Sequence, residues 1–390
     1  MKSPNLNSMR RVGSRAVVLA AGTVAAVIGF SSTAWAGPDT VSDVPNASTT
    51  FNGEVFTAVV SGNTIYVGGT FTGAISNGHT TTRHGLAAVD ATTGALLPWN
   101  PNAVGEVRIL ATDGTNVYAG GNFTSIGGVA RTRLAEIDGT TGALVTSFNH
   151  SANAEVRGMT VGSGNLYVGG SFTAIDGQAV GYMAAFTLST GARNTAWSPV
   201  ANQRVNSMTF ANNQVYVGGK YNQINGASNP RLRAFNPTTG AVVASFKPAA
   251  PYEVYGVAVG ASGVYAAVAG PGGRAIGFSL TGAVQWTQTT DGDTQAVAVM
   301  DQTVYVGGHF DNACKTPATG TMGVCLGGST HRGKLLAVDL SGVLQSWNPD
   351  GNGVQGTHQL VANPALHQIV AAGQWPQLNG VQHQGFAIFG

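Results

Sequence analysis

Short stretches of alternating apolar and polar residues return along this chain at a nearly constant interval. In the clearest unit, residues 155–161 alternate and suit a first strand, and residues 165–170, 181–186 and 192–197 suit a second, third and fourth. Each is four to eight residues long and bounded by Gly, Asn, Ser or Pro, which is typical of strands and turns. No stretch beyond the N-terminal segment shows a helical period. The pattern predicts an all-β protein with four strands in each unit.

The second predicted strand of each unit carries a recognisable motif. It reads Tyr-Val-Gly-Gly-Ser-Phe-Thr-Ala-Ile-Asp-Gly at 167–177, and related copies begin at Tyr66, Tyr118, Tyr216, Tyr305 and, in eroded form, Val370. The spacing of about 49 residues is a propeller-length period. The glycine pairs follow strands and precede no helix, so we interpret them as strand and bulge features and not as phosphate-binding loops.

An aromatic residue at the end of each fourth strand gives a count of the units. Six units carry one: Trp99, Phe148, Trp197, Phe246, Trp286 and Trp347. Phe51, read as the equivalent of Phe148, gives a seventh. The chain ends at 385–390, in a third strand. We therefore predict a seven-bladed β-propeller with four-stranded antiparallel blades, one domain of residues 37–390, in which the N-terminal strand completes the C-terminal blade.

Two units depart from the period. The fifth, around Tyr265, has residues 270–274 in place of the Phe-Thr extension, and the sixth contains an insertion of about a dozen residues with Cys314 and Cys325. Such asymmetry indicates either a binding face or drift in a solvent loop. In an oxidising compartment the two cysteines are expected to form a disulfide.

The first 36 residues have the features of a secretory signal peptide. Arg10, Arg11 and Arg15 precede the uncharged run 16–30, and 34–36 reads Ala-Trp-Ala. The run is short for a membrane span of about 20 residues, although an uncleaved anchor stays an alternative, as do Sec and twin-arginine export. We expect a secreted, extracellular protein that does not stay in the membrane once the signal is cleaved.

Cleavage changes the charge balance. The whole chain has 19 basic and 17 acidic residues, and the signal removes four cations and no acid, which leaves 15 against 17 and a net charge of −2. We therefore expect no nucleic-acid partner.

The repeat motif resembles that of secreted bacterial β-propellers of the delta-60 repeat family, built of Tyr-Val-Gly-Gly-x-Phe-Thr units. The resemblance covers about residues 50–390 and implies a propeller fold and export more than an activity. Residues 88–99 and 337–347 are also similar to the tryptophan-docking motif of quinoprotein propellers. This second resemblance implies an architectural role for the aspartates and tryptophans, with a quinone-dependent oxidoreductase as a remote alternative.

Charged residues recur at two places in the units, and both are expected on the top face of the ring. The first-strand entrances carry Glu54, Glu106, Glu155, Arg204, Glu253 and Asp293, with Gln355 in the last unit. The loops before the third strand carry Arg83, Arg131, Arg231, Arg332, His84, His331 and His383. The four glutamates could hold a divalent cation such as calcium; alternatively each glutamate pairs with an arginine of its own or the adjacent blade.

Residues that break the symmetry are the better site candidates. For catalysis these are His331, His383 and Asp293, with histidine as general acid or base; for ligand binding they are Arg204, Tyr182, Arg332 and His84. His309 is interpreted as a solvent-facing variant. No nucleophile elbow, zinc-binding helix or phosphate loop is present in the sequence, and no cofactor is predicted.

Two functions follow from these residues. The first is a monomeric, non-enzymatic module that binds a protein or a glycan on its top face. The second is a metal-assisted lyase or hydrolase that uses the top-face carboxylates and histidines.

Overall fold

The computed structural model describes residues 40–390, which belong to one compact unit, Pro38–Gly390. This part of the chain consists of strands and turns, and its helical elements are two single 3-10 turns, Thr321–Gly323 and Pro364–Leu366. The all-β prediction is confirmed. Within the described residues no helix is long and apolar enough to cross a bilayer. The predicted signal peptide, residues 1–36, lies outside the described residues.

Seven antiparallel sheets follow one another along residues 40–390, and in each the chain forms a first, second and third strand in order. We number them sheets 1 to 7. Their strands are Val55–Ser61, Thr64–Gly69 and Leu86–Asp90; Ala103–Thr112, Asn116–Ile126 and Leu134–Asp138; Val156–Gly162, Asn165–Gly170 and Met183–Thr187; Val205–Ala211, Gln214–Gly219 and Leu232–Phe235; Val254–Val259, Val264–Val268 and Arg274–Phe278; Thr294–Met300, Thr303–Gly308 and Leu335–Asp339; Gly356–Asn363, Gln368–Gln374 and Phe386–Phe389.

The Phe-Thr extension of the motif forms a short outer hairpin between the second and third strands of most sheets. These hairpins are Gly73–Ser76 with His79–Thr82, Ala174–Ile175 with Gln178–Ala179, Gln223–Ile224 with Ala227–Ser228, Asn312–Cys314 with Ser329–His331, and Gln377–Leu378 with Val381–Gln382; in sheet 2, Val129–Ala130 pairs with the long second strand. Sheet 5, whose sequence lacks the extension, has no such hairpin among its described residues.

The predicted fourth strand is regular only in sheet 5, where Val284–Thr289 pairs with the third strand. In sheets 1 to 4 and 6 it shortens to a single bridge: Val89–Leu96, Ile137–Leu144, Phe186–Arg193, Phe235–Val242 and Val338–Leu344. Proline lies two residues after the aromatic in four of these five units, at Pro101, Pro199, Pro248 and Pro349, and is absent after Trp286. Proline has no N–H for a ladder and so cannot continue the strand, but sheet 2, with His150 at this position, has an equally short bridge, so the proline does not by itself set the length of the strand.

Consecutive sheets pack through apolar clusters that each draw on two neighbours. One cluster joins the last sheet to the first, since Val370, Phe386 and Ile388 of sheet 7 pack with Val55 and Val67 of sheet 1. The first strands of neighbouring sheets also contact one another, including those of sheets 7 and 1. The two ends of the chain are therefore held together by the same kind of packing that joins sheets adjacent in sequence.

The N-terminal segment contributes to both of these sheets. Asn46 N donates to Ile388 O in the third strand of sheet 7, and Thr50–Phe51 pairs with Ala74 and Ile75 in the hairpin of sheet 1. Phe51 is buried and packs against Phe71 and Phe386, with ring centroids 4.3 and 5.8 Å away.

The alignment of Phe51 with Phe148 is wrong. The side-chain oxygen of Asn52 accepts hydrogen bonds from the N–H groups of Thr72 and Gly73. Asn153 accepts the equivalent hydrogen bonds from Thr173 and Ala174 in sheet 3. Phe51 thus takes the place of Ala152, which bridges to Ile175. The segment that lies beside sheet 7 is around Asn46, several residues earlier, because the chain needs those residues to cross from one sheet to the next.

The two irregular units fit together. Cys314 and Cys325 form the predicted disulfide, and the insertion of sheet 6 that it closes lies over the shortened loop of sheet 5. Thr319 Oγ1 donates to Pro271 O at 2.7 Å, and a Cβ at Gly323 would lie 2.8 Å from the Gly272 Cα. The insertion of sheet 6 therefore occupies the space that an outer hairpin of sheet 5 would otherwise fill.

Candidate functional site

Every first strand contains a β-bulge near its start, and the residue left out of the ladder differs from sheet to sheet. Bulges of this kind turn a side chain away from its regular direction. The skipped residues, which we call the bulge residues, are Phe56, Arg108, Arg157, Asn206, Tyr255, Gln295 and His358. All seven line one cavity of ≈ 680 Å³. This cavity, lined by the first strands of all seven sheets, is the candidate site.

The second glycine of the repeat motif makes room for the bulge. The carbonyl oxygen of Glu54 lies 2.1 Å from where a Cβ on Gly69 would be, and Glu155 stands in the same relation to Gly170 at 2.2 Å. In these sheets a side chain at this position would collide with the strand, whereas sheet 5 has Val268 there and still carries the bulge. The same close approach occurs at Gly121, Gly219, Gly308 and Gly373.

The predicted entrance residues lie two positions before the bulge in sheets 1 to 6. In sheet 7 the equivalent residue is Gly356, because Thr357 pairs with Gly373 as Val55 pairs with Gly69. The prediction for Gln355 is therefore wrong by one position. The loop before the first strand of sheet 7 differs in length from the corresponding loops of the other sheets, and this difference shifts the entrance position by one residue.

Glutamates on sheets 2 and 3 pair with arginines of the first strands. Arg108 Nη1 lies 3.1 Å from Glu106 and Arg108 Nε 3.9 Å from Glu155, while Arg157 Nη1 lies 2.5 Å from Glu155. These side chains are about a quarter exposed, so each pair contributes about 1 kcal/mol at most. The pairing runs within and between sheets, as one of the two alternatives predicted, but through bulge residues and not through the arginines of the loops.

A second group of polar contacts connects sheets 4 and 5. Arg204 donates to Glu253 from Nε at 2.8 Å and Nη2 at 2.7 Å, and Asn206 Nδ2 donates to the same carboxylate oxygen at 2.8 Å. Glu253 is mostly buried, and charge-assisted bonds of this kind are stronger than neutral ones. The predicted ligand-binding residue Arg204 does line the cavity, with its guanidinium already engaged.

His358 connects sheets 6, 7 and 1. Its Nε2 lies 2.7 Å from Glu54 Oε1 and its Nδ1 lies 3.0 Å from Gln295 Oε1. Its ring packs 5.1 Å from that of Phe56, over which Arg108 lies at 4.3 Å. The contacts around the cavity therefore run continuously from Gln295 to Arg108.

Asp293 lies at the same entrance; its backbone carbonyl accepts a hydrogen bond from His309 N at 2.9 Å, while its carboxylate makes no hydrogen bond or ion pair with the described residues. Burial raises the pKa of its carboxyl; nearby His309 opposes this shift and Glu253 adds to it. Burial is the main cause that raises the pKa of the Tyr255 hydroxyl, and the negative charges of Glu253 and Asp293 add to it. The positive charges of Arg204 and Arg157 lower this pKa in part. Asp293 therefore differs from Glu253, whose carboxylate is paired with Arg204.

The loop arginines bind their own sheets. Arg83 donates to Leu97 O at 3.0 Å, and Arg332 donates to Gln345 O at 2.7 Å. Each guanidinium therefore fixes the shortened fourth strand, and burial lowers the pKa of both. Arg332, predicted to bind ligand, has a structural role here, as has Arg131, which donates to Thr146 O.

His383 occupies the place of Arg83 in the last sheet, since its N–H donates to Pro376 O as that of Arg83 donates to Thr72 O. Its side chain is only 8% exposed. Burial lowers the pKa of His383, and the neighbouring backbone of Asn46 and Phe386 offsets this only in part. It lies outside the cavity lining.

The remaining predicted residues also lie away from this cavity. His331 pairs with Asp350 at 2.6 Å on an exposed hairpin. His84 lines a separate groove with Thr70 and Glu106. Tyr182 has φ 66° and packs against the core of sheet 4. The three catalytic candidates, Asp293, His331 and His383, are thus on different elements.

Glu54, Glu106, Glu155 and Glu253, predicted to hold a cation, are directed to separate partners. Among the described residues, no three or more His, Cys, Asp or Glu side chains form a group that could hold a metal ion. Their carboxylates instead bind His358, Arg108, Arg157 and Arg204.

The sequence analysis missed the bulge residues. A signal was present: two positions after the entrance residue, counted from Gly356 in sheet 7, six different amino acids occur in the seven units, arginine being the one that occurs twice. Variation at one position of a repeat indicates that the shared architecture does not fix the side chain there.

Comparisons with known proteins support the fold alone. No known family matches the sequence, and no curated protein does. The structure is similar to the WD40 β-propeller domain of Doa1, with a TM-score of 0.55 and 10% identity over 89% of this chain and 96% of that one. It is also similar to the computationally designed Ika8 protein, with a TM-score of 0.51 and 13% identity over 90% of this chain and 99% of that one. The chain has a β-propeller fold.

Proposed function

We propose that this protein is a secreted interaction module in which the seven sheets are the blades of one seven-bladed propeller and the bulge residues bind a protein or glycan at the cavity. β-Propellers close their sheets into a ring and leave short, protected edges. The packing of sheet 7 on sheet 1 supports that ring. The disulfide in the insertion is compatible with an oxidising compartment.

One observation carries the binding function. Seven structurally equivalent positions line a single cavity of ≈ 680 Å³, and they carry seven side chains of six amino-acid types: Phe56, Arg108, Arg157, Asn206, Tyr255, Gln295 and His358. A position with only an architectural role would vary less from sheet to sheet, as the second glycine of the motif does, which is kept in six of the seven sheets and replaced by Val268 in sheet 5. A concave surface with a few aromatic and charged groups is the usual form of a ligand site.

Binding by purified protein tests this function. The protein would be immobilised and presented with a glycan array and with fractionated extracellular proteins. We expect a ligand whose binding is lost in Tyr255→Ala and Arg204→Ala. Val381→Ala, at an exposed outer hairpin, is the matched control and should bind normally. Binding that persists in both cavity variants would contradict the proposal, as would substrate turnover that a chelator abolishes.

A further inference from the structure

Three arginines on consecutive sheets line the candidate cavity, whereas the glutamates that pair with them do not. The arginines are Arg108 on sheet 2, Arg157 on sheet 3 and Arg204 on sheet 4. Among the described acidic residues, Glu54 is the one that lines the cavity, and its carboxylate is bound by His358. The part of the cavity formed by sheets 2 to 4 therefore presents guanidinium groups without carboxylates between them and the ligand space.

The ion pairs engage only part of each arginine. A guanidinium carries five N–H donors in a planar fork, and the hydrogen bonds to glutamate come from Nη1 of Arg108, Nη1 of Arg157, and Nε and Nη2 of Arg204. The other terminal amino group of each arginine makes no hydrogen bond with the described residues. These amino groups are not buried, unlike Arg157 Nε, and the three side chains are 27, 20 and 36% exposed. A ligand in the cavity therefore finds an accessible, unpaired amino group on each arginine.

Shared contacts hold the three arginines near one another. Glu155 lies 3.9 Å from Arg108 Nε and 2.5 Å from Arg157 Nη1, so these two guanidinium groups flank one carboxylate. The first strands of sheets 3 and 4 touch beside them, since a Cβ on Gly158 would lie 3.1 Å from the Ser207 Cα. Arg204 immediately precedes that strand of sheet 4. The arginines thus border one continuous part of the cavity.

The glutamates also fix the direction of the arginine side chains. Arg204 is held through two nitrogens by Glu253, and Arg108 lies over the ring of Phe56 at 4.3 Å as well as pairing with Glu106. Side chains that are already held lose less conformational freedom when a ligand binds. Because one glutamate balances each arginine, attraction for a ligand comes from directed N–H groups at short range and not from a large net charge.

We propose that Arg108, Arg157 and Arg204 form a subsite for an anionic group of the ligand, a carboxylate or a sulfate. The oxygens of this group accept hydrogen bonds from the free amino groups. Guanidinium groups match such oxygens in geometry, and charge-assisted bonds are about twice as strong as neutral ones. This inference rests on the proposed binding function and adds the charge of its ligand; an acidic sugar and an acidic peptide are the two carriers that the experiment separates.

Titration calorimetry with matched acidic and neutral probes tests the subsite. The pairs are trigalacturonate and its methyl ester, sulfated and unsulfated cellotriose, and tetraglutamate and tetraglutamine. Within each pair the probes have the same backbone and differ in charge. We expect at least one acidic probe to bind and its neutral counterpart to bind at least about tenfold more weakly, the effect of losing one hydrogen bond between charged groups. The pair that shows this difference identifies the carrier.

Variants of the three arginines connect the binding to the subsite. Arg108→Gln, Arg157→Gln and Arg204→Gln should each weaken the acidic probe about tenfold and leave the affinity for its neutral counterpart unchanged. Lys247→Gln removes an exposed cation outside the cavity and is the matched control, which should bind as the parent does. Any glutamine variant that fails to fold is replaced by lysine at the same position, which keeps the charge next to glutamate but removes the planar fork.

The outcomes separate this inference from the proposed function. Equal affinity for an acidic probe and its neutral counterpart would overturn the subsite, as would unchanged affinity for the acidic probe in the three arginine variants. If no acidic probe binds, while a ligand from the glycan array or the extracellular proteins does bind at the cavity, the anionic subsite fails and the proposed binding function stands. If no ligand of any kind is found, both fail.

Discussion

Trp347 Nε1 donates a 3.1 Å hydrogen bond to Ser42 O, a residue 305 positions earlier in the chain. Trp99 makes the same bond to Asp138 O at 3.0 Å, and Trp197 to Asn236 O at 3.1 Å. In the last two cases the acceptor lies at the end of the third strand of the next sheet. For Trp347 the backbone carbonyl that accepts the indole N–H therefore comes from the N-terminal segment, whereas for Trp99 and Trp197 it comes from the next sheet along the chain.

Equivalent contacts predict equivalent losses of stability. Trp347→Phe removes the hydrogen bond and part of the buried indole ring, and we expect it to lower the free energy of unfolding by at least about 1 kcal/mol, since the lost hydrogen bond and the cavity both contribute. Trp99→Phe is the matched control and should cost the same. Urea denaturation measures both. A negligible loss in Trp347→Phe beside a clear loss in Trp99→Phe would show that the N-terminal contact does not form.

Phe51 should be far more sensitive. It is fully buried between Phe71 of sheet 1 and Phe386 of sheet 7, so Phe51→Ala leaves a cavity between the first and last sheets and should cost about 3–5 kcal/mol. Deletion of residues 40–52 should cost more. Differential scanning calorimetry of each variant checks this, and a deletion that leaves the melting temperature unchanged would refute the role of this segment in holding the ends together.

Two glutamates at the cavity are predicted to differ in their effect on stability. Glu253 accepts three hydrogen bonds and is mostly buried, so Glu253→Gln should cost about 1–3 kcal/mol through partners left unsatisfied. The ion pair of Glu106 with Arg108 is more exposed, so Glu106→Gln should lower the free energy of unfolding by less than about 1 kcal/mol. Chemical denaturation at low and high salt separates them, and equal costs would contradict the described contacts.

His383 predicts a pH dependence. Burial lowers its pKa below the ordinary value of 6.5, so the folded state binds this proton less well than the unfolded state does. The stability is complete above pH 6.5 and falls as the pH drops from there through the folded-state pKa. His383→Arg restores the residue found at Arg83, Arg131 and Arg332, and should remove this part of the acid sensitivity. Melting temperatures at pH 5 and pH 8 measure the difference, which should be smaller in the variant.

The disulfide should stabilise its own loop more than the whole fold. Cys314 and Cys325 are 11 residues apart, and closing a loop of that size contributes about 3 kcal/mol in the chain-entropy model. In the double serine variant we expect faster hydrogen exchange in residues 315–328 and in the loop 270–274 against which they pack. Exchange in the second strand of sheet 3 is the internal control. Protection that is unchanged in both loops would show that the insertion holds its position without the covalent link.

The sequence determined the strands, their period and the cysteine pair. The predicted second strand of the third unit, residues 165–170, coincides with the observed one, because alternation and flanking turn residues act locally. The shortening of the fourth strand was not predicted: residues 192–197 were expected to form a strand, whereas the structure has only the single bridge Phe186–Arg193 in that unit.

Only the tertiary structure decided which side chains meet. A strand pattern separates two faces, but a bulge shifts one residue out of that pattern, so nothing local shows that Arg108, Tyr255 and His358 line one cavity. The partner of Glu253 lies on the preceding sheet, and the acceptor for Trp347 lies at the far end of the chain. Such contacts depend on how whole sheets pack, a property of the assembled core, and therefore no single repeat reveals them.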